Sequence, residues 1–100
     1  VYVSGQIPLD PATGQMVEGD FVERTRQVFR NLAAIAEAAG GDLSKVVQYT
    51  IFLTDLGQFP TVNAVMQELL PTPYPARATV QVSALPRGTD VEIDAVLVLD

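Results

Sequence analysis

The chain has 100 residues, 48% of them apolar, and a net charge of −6, which fits one domain spanning residues 1–100 with a modest core. It has no Cys and no His, so disulfides, thiol nucleophiles, Ser-His-Asp triads and ordinary zinc sites are excluded within the chain. The six basic residues are scattered, against a general nucleic-acid binder, no apolar run is long enough to span a bilayer, and no D-x-D-x-D-G run marks a calcium loop.

Val1 to Gln6 reads as a strand ending in a Ser4-Gly5-Gln6 turn. An opening on Val1-Tyr2-Val3 is no charged n-region, so no signal peptide is expected. Val1 is no initiator, so residues before it are expected to be missing from this chain. Pro8 to Gly14 is dense in turn formers, and Gln15 to Val17 is assigned as a short strand. Asp20 is an N-cap candidate, with Glu23 three residues on as in a capping box. From Phe21 to Ala39, the spacing of Phe21, Val28, Phe29, Leu32, Ile35, Ala36 and Ala39 predicts a helix, stopped by Gly40-Gly41. Val46 to Thr54, rich in β-branched and aromatic residues, predicts a central strand. Asp55-Leu56-Gly57 breaks it. A second helix is predicted over about Phe59 to Leu70, with Pro60 in its tolerated first turn. Pro71-Thr72-Pro73-Tyr74-Pro75 ends that helix and enforces an extended approach to the next strand.

Two alternating strands close the chain. In the first, Ala76, Ala78, Val80 and Val82 oppose Arg77, Thr79, Gln81 and Ser83; in the second, Val91, Ile93, Ala95, Leu97 and Leu99 oppose Glu92, Asp94, Val96 and Val98. Leu85 to Asp90 supplies a turn, and a simple hairpin centred near Arg87 is expected. The predicted fold is a two-layer α+β domain, a mixed sheet with two helices on one face. The open face is expected to carry Arg77, Thr79, Gln81, Ser83, Glu92 and Asp94 beside Val96 and Val98, a mixture suited to an oligomer surface.

Arg77 and Glu92 are the candidate chemical groups. A guanidinium binds a carboxylate by two parallel charge-assisted hydrogen bonds, although an ordinary surface arginine or an intersubunit ion pair would look the same in sequence. An ionised Glu92 could hold a water for attack; equally, it could be a solvated carboxylate on an exposed strand face. Asp94 shares its strand face and is read as structural. Gly5 is a turn residue or a place where a ligand approaches the backbone. Asn63 is read as a solvent-exposed residue of the second helix, able to face a cleft. Tyr2, Tyr49 and Tyr74 are read as packing residues. In the expected hairpin, Ser83 lies near Glu92 and Arg77 near Leu97, which at roughly 3.4 Å per residue separates Arg77 from Glu92 by well over 10 Å. A site using both would then draw them from neighbouring subunits, or need a different hairpin register.

In order and spacing, Ser4-Gly5-Gln6-Ile7-Pro8-Leu9-Asp10, Thr25-Arg26-Gln27-Val28 to Asn31-Leu32, Lys45-Val46-Val47 through Phe52-Leu53-Thr54-Asp55, Pro75-Ala76-Arg77, and Leu85-Pro86 to Val91-Glu92-Ile93 resemble the RidA/YjgF family. This family is also described as L-PSP endoribonuclease or translation inhibitor. The resemblance covers nearly the whole chain. It implies a chorismate-mutase-like fold, a homotrimer with active sites between subunits, and cofactor-free hydrolysis of reactive 2-imino or 2-enamino acids to 2-keto acids and ammonia. Arg77 matches the arginine that clamps the substrate carboxylate, Glu92 the glutamate that positions or activates water, and Gly5 and Thr79 positions whose backbone groups hold the ligand. Two departures stand out. Thr79 occupies a position that is Cys in many members, and the family's strand upstream of Val1, which contributes a tyrosine to the pocket, is expected to be lacking.

The expectation is therefore a cytoplasmic imine deaminase, a homotrimer with no metal, membrane or nucleic-acid partner. A non-catalytic trimeric protein that senses small 2-keto acids is the second reading. Ribonuclease or translation-inhibitor activity is the third, and it sits poorly with an acidic chain that lacks His.

Overall fold

The computed structural model describes residues 1–99. Its regular elements are β1 (Tyr2–Gln6), α1 (Phe21–Ala38), β2 (Val46–Leu53), α2 (Phe59–Leu69), β3 (Ala76–Gln81) and β4 (Val91–Leu97). Short 3₁₀ turns precede β2, α2 and β4. The strands form one sheet in the order β1-β4-β2-β3, with β2–β3 parallel and the other two pairings antiparallel. Among the described residues, no helix is long and apolar enough to cross a membrane.

Local chemistry sets the helix ends. Asp20 accepts the Glu23 N–H at 2.9 Å, but the reciprocal half of the capping box is missing because the Glu23 carboxylate turns to Arg26 at 2.6 Å instead. At the other end, Gly40 takes φ 96°, Gly40 N–H bonds Glu37 C=O and Gly41 N–H bonds Ala36 C=O, the paired pattern of a Schellman motif. Before α2, the Asp55 carboxylate accepts the Gly57 N–H at 2.8 Å, and Pro60 sits where the missing N–H costs nothing.

Both helices cover one face. Val28, Phe29, Leu32 and Ala36 of α1 and Val62, Val65 and Met66 of α2 are buried against Tyr49, Ile51 and Leu53 of β2 and Val91, Ile93, Ala95 and Leu97 of β4. The Phe29 and Tyr49 rings meet edge to face at 5.8 Å. Along β4 the burial alternates without a break, so Glu92, Asp94 and Val96 face away from the helices.

Two expectations fail. Gln15 to Val17 forms no strand: only an isolated bridge joins Leu9 to Met16. More consequentially, β3 and β4 are not a hairpin, because β2 lies between them. The nine residues from 82 to 90 are too many for a tight hairpin loop; they arch over the end of β2, with Arg87 in the left-handed region at φ 57°. Strand, helix and strand from β2 through α2 to β3 instead form a βαβ unit, whose two strands pair in parallel.

The Tyr49 hydroxyl is buried and has no hydrogen-bond partner among the described residues. Burial pushes its pKa up, so it stays neutral. Removing an unpaired buried polar atom relieves its desolvation cost, so Tyr49→Phe should leave stability unchanged or raise it by about 1 kcal/mol. That is a rise of up to several degrees in Tm by calorimetry. A drop in Tm would show that the hydroxyl has a partner in solution.

Candidate functional site

The strand order splits the expected site residues into two groups. Arg77 pairs with Tyr49 and Thr79 with Ile51, both buried beneath the helices, so these two side chains project on the helix-covered side. Glu92 pairs with Phe52, on the open side. The placement of Arg77, Thr79 and Gln81 on the open face is therefore corrected. Ala76, Ala78 and Val80 occupy it, with Val80 41% exposed. β3 is an edge strand, exposed on both sides for much of its length. Its alternation separates two sets of residues without indicating which set meets the helices.

Two interstrand spacings separate β3 from β4, and Arg77 lies three β2 residues from the level of Glu92. Their backbones are thus about 14 Å apart, with side chains on opposite faces. One small ligand cannot touch both within one chain.

The Arg77 half lies between β3 and α2. The Arg77 Cζ stands 4.9 Å over the Phe59 ring centroid, and its Nη1 meets Met66 Sδ at 3.4 Å. Among the described residues no carboxylate pairs with it, whereas Arg24 pairs with Asp90 and Arg26 with Glu23 and Glu68. A cavity of about 310 Å³ adjoins Arg77, lined also by Asn63, Met66, Gln67, Tyr74 and Pro75. Asn63 thus faces a cleft rather than open solvent. Tyr74, read as a packing residue, lines the same cavity and is 52% exposed. The signal for Asn63 was its helical offset of three from Met66; Tyr74, in a proline-rich stretch, offered none. A separate cavity is lined by Leu56, Phe59 and Thr79.

Edge position also frees backbone groups. Val82 N–H bonds Leu53 C=O at 2.8 Å, so by two-residue alternation the N–H and C=O groups of Val80 and Ala78 point at β2. Those of Thr79 and Arg77 point outward from the sheet edge. The outward backbone groups of Thr79 thus lie on the same strand edge as those of Arg77, two residues along.

The Glu92 half lies where β1 meets β4. Pairing is irregular between Val3 and Gln6, and this irregularity brings Gly5 onto Glu92. A Cβ at Gly5 would stand 2.5 Å from Glu92 Oε2 and 2.7 Å from its Cδ, so the absent side chain makes room for the carboxylate. The loop after Gly5 is stapled to α1: Asn31 Nδ2 donates to Ile7 C=O at 3.3 Å and Leu9 C=O at 2.9 Å, while Asn31 Oδ1 accepts from Gln27. The start of β4 is held by Arg24, which grips Asp90 through Nε at 3.3 Å and Nη2 at 2.6 Å. Asp94, one pleat beyond Glu92, lines a separate open-face cavity with Tyr2, Ser4 and Thr50. Tyr2, read as packing, is 87% exposed there, and only Tyr49 of the three tyrosines is core. Among the described residues, no cluster of acidic side chains could hold a metal ion.

The family model described as Endoribonuclease L-PSP matches residues 1–99. The chain belongs to this family, the RidA/YjgF family of the sequence resemblance. A RutC family protein of Sinorhizobium fredii is 54% identical over 99% of this chain and 79% of its own length. The 2-iminobutanoate/2-iminopropanoate deaminase of Mus musculus is 47% identical over 98% of this chain and 73% of its own. Among solved structures, RidA from the Antarctic bacterium Psychrobacter sp. PAMC 21119 superposes with a TM-score of 0.94 at 50% identity, covering 98% of this chain and 79% of that one. The two-layer fold is thus the RidA/YjgF fold.

The contact at Gly5 yields a structural test. In Gly5→Ala, the flexible end of Glu92 yields rather than the backbone, so stability should change by about 1 kcal/mol or less. A crystal structure of the variant should show the Glu92 carboxylate swung away from the added methyl group. An unmoved carboxylate would mean that Gly5 does not set its position.

Proposed function

We propose that this protein hydrolyses small 2-imino acids to 2-keto acids and ammonia in a homotrimer, at sites formed where subunits meet. The observation that carries this reading is the division of the two groups. An arginine with no acid partner among the described residues borders a cavity on the helix side of the sheet edge, and a carboxylate seated on Gly5 lies on the open face. The deaminase name of the Mus musculus relative supports the substrate class; the Sinorhizobium fredii relative's name states no reaction.

In this reading, Arg77 binds the substrate carboxylate through two parallel hydrogen bonds, and the outward Thr79 backbone helps orient it. Glu92 of an adjoining copy orients a water and accepts one of its protons as the oxygen bonds to the C=N carbon. The proton passes to nitrogen to give an aminoalcohol; its hydroxyl proton then passes to nitrogen as the C–N bond breaks, and ammonia leaves as the carbonyl forms. Water supplies the keto oxygen, no electrons are exchanged, and no cofactor enters. The open face suits the required contact. Ala76, Ala78 and Val80 form an exposed small apolar stripe beside half-buried Phe52 and Val96, a surface that a repeated head-to-tail contact can bury while closing into a ring.

A ribonuclease reading lacks physical support in a chain of net charge −6 without His. The non-catalytic sensor would use Arg77 without needing Glu92, so two variants separate the cases. Arg77→Ala should lower kcat/KM for 2-iminopropanoate by at least about a hundredfold, the loss of a bidentate charge-assisted contact. Glu92→Gln should retain binding of 2-oxobutanoate while turnover falls about a hundredfold or more. Undiminished turnover in Arg77→Ala would remove the assigned clamp, and undiminished turnover in Glu92→Gln would remove the assigned water-directing group.

A further inference from the structure

We propose that Phe59 and Met66 are positioning residues that aim the Arg77 guanidinium while leaving its charge unneutralised. The inference deepens the reading of Arg77 as a carboxylate clamp and rests on it. Phe59 and Met66 are seven residues apart on α2, and so share one face of the helix. Both fit the helix's apolar stripe and would pass for ordinary core residues. Met66 is only 4% exposed and Phe59 packs against the core from its edge, so both are anchored.

Their contacts to Arg77 differ from those of the other arginines: Arg87 donates to Gly14 C=O at 3.0 Å, and Arg24, although its Cζ also stands 5.8 Å over the Phe21 ring, is paired with Asp90. Arg24, Arg26 and Arg30 each lie within 4.0 Å of at least one carboxylate oxygen. Arg77 instead has an aromatic face beneath its guanidinium carbon and a thioether sulfur on Nη1. A ring quadrupole and a thioether hold a cation in a fixed plane, yet both are weak acceptors that compete poorly with a carboxylate. One face of the guanidinium is therefore covered and Nη1 is engaged. Among the described residues, no hydrogen bond engages Nε or Nη2 of Arg77. Those two nitrogens form one edge of the guanidinium fork. The chain shows what that edge can do elsewhere: Arg24 uses its own Nε and Nη2 to grip both oxygens of Asp90. The cradle thus presents at Arg77 the same bidentate edge, left open for an anion from outside the chain.

A carboxylate in place of Phe59 or Met66 would hold the arginine as firmly but would occupy that edge and cancel its charge. Free rotation without any cradle would leave the guanidinium's orientation to be fixed at the moment of binding, at an entropic cost. A soft cradle avoids both.

The test is calorimetric binding of 2-oxobutanoate to the assembled protein, with steady-state turnover of 2-iminopropanoate alongside. Phe59→Leu, which keeps apolar bulk and loses the ring face, should weaken binding about three- to tenfold, and its loss in turnover should fall on KM more than on kcat. Phe59→Tyr, which keeps the ring, should bind within about twofold of wild type. Met66→Leu, which keeps volume and loses the sulfur, should weaken binding about twofold to threefold. In an Arg77→Ala background neither leucine substitution should have any further effect. Wild-type binding in Phe59→Leu, with binding lost in Arg77→Ala, overturns the cradle and leaves the clamp standing. Wild-type binding in Arg77→Ala overturns the clamp and the cradle with it. Should Phe59→Leu fail to fold, wild-type binding in Met66→Leu overturns the proposal on its own.

Discussion

β2 lies between β3 and β4 and bonds to them in opposite senses, and the rest of the molecule's functional layout depends on that placement. The parallel partnership with β3 lines Arg77 and Thr79 up with the buried residues Tyr49 and Ile51. The antiparallel partnership with β4 lines Glu92 up with Phe52 on the other face. Because the side-chain period of a strand is two, a shift of either register by one residue would invert these assignments and bury the wrong set. The buried row of Tyr49, Ile51 and Leu53, continued by Val91, Ile93, Ala95 and Leu97, holds the β2–β4 register, and with it the outward direction of Glu92, against such a slip. β3 adds no buried residue to that row, so Arg77 is placed by its ladder to β2 and its contacts with α2.

The surroundings of Glu92 and of Arg77 differ in how they are made. On the open face, the position of Glu92 depends on what is missing: Gly5 has no side chain, and the space that a methyl group would fill holds the carboxylate. Two polar clamps fix the backbones concerned, Asn31 on the loop after β1 and Arg24 on the start of β4. At the sheet edge, Arg77 gains position from an aromatic ring and a thioether and retains its charge. Arg24, Arg26 and Arg30 are matched to Asp or Glu and Arg87 to the Gly14 carbonyl, whereas Arg77 meets only a ring and a thioether among the described residues.

Much of this architecture is legible in the amino-acid order. Phe21 to Leu32 announces α1 through its period, Gly40-Gly41 ends it, and the β-branched run at Val46 marks a strand buried on one side. The blocks around Gly5, Arg77 and Glu92 carry the family. Strand neighbourhood was not readable from alternation, because Ala76, Ala78 and Val80 look like a core-facing set while lying on the open face of an edge strand. Two length signals did bear on it: the nine residues from 82 to 90 exceed a tight hairpin loop, and strand–helix–strand from Val46 to Gln81 has the length of a parallel crossover unit. The hairpin and the true arrangement both separate Arg77 from Glu92, the first by distance along a strand and the second by distance and by face. The intersubunit expectation thus rests on a different geometry from the one that first suggested it. Roles for Asn63, Tyr74 and Phe59 were hidden for another reason. Each is a common helix or loop residue, and only the path of the chain after Pro71 brings the first two beside Arg77 and sets the third beneath it.

The most direct measurement is complementation between two inactive variants, Arg77→Ala and Glu92→Gln, unfolded together and refolded as an equal mixture. If each site takes its arginine from one copy and its glutamate from the next, random assembly restores about a quarter of the sites, and 2-iminopropanoate turnover should recover to about that share of wild type. Turnover no higher than that of the separate variants, with mixed assemblies verified by native mass spectrometry, would contradict a site shared between copies.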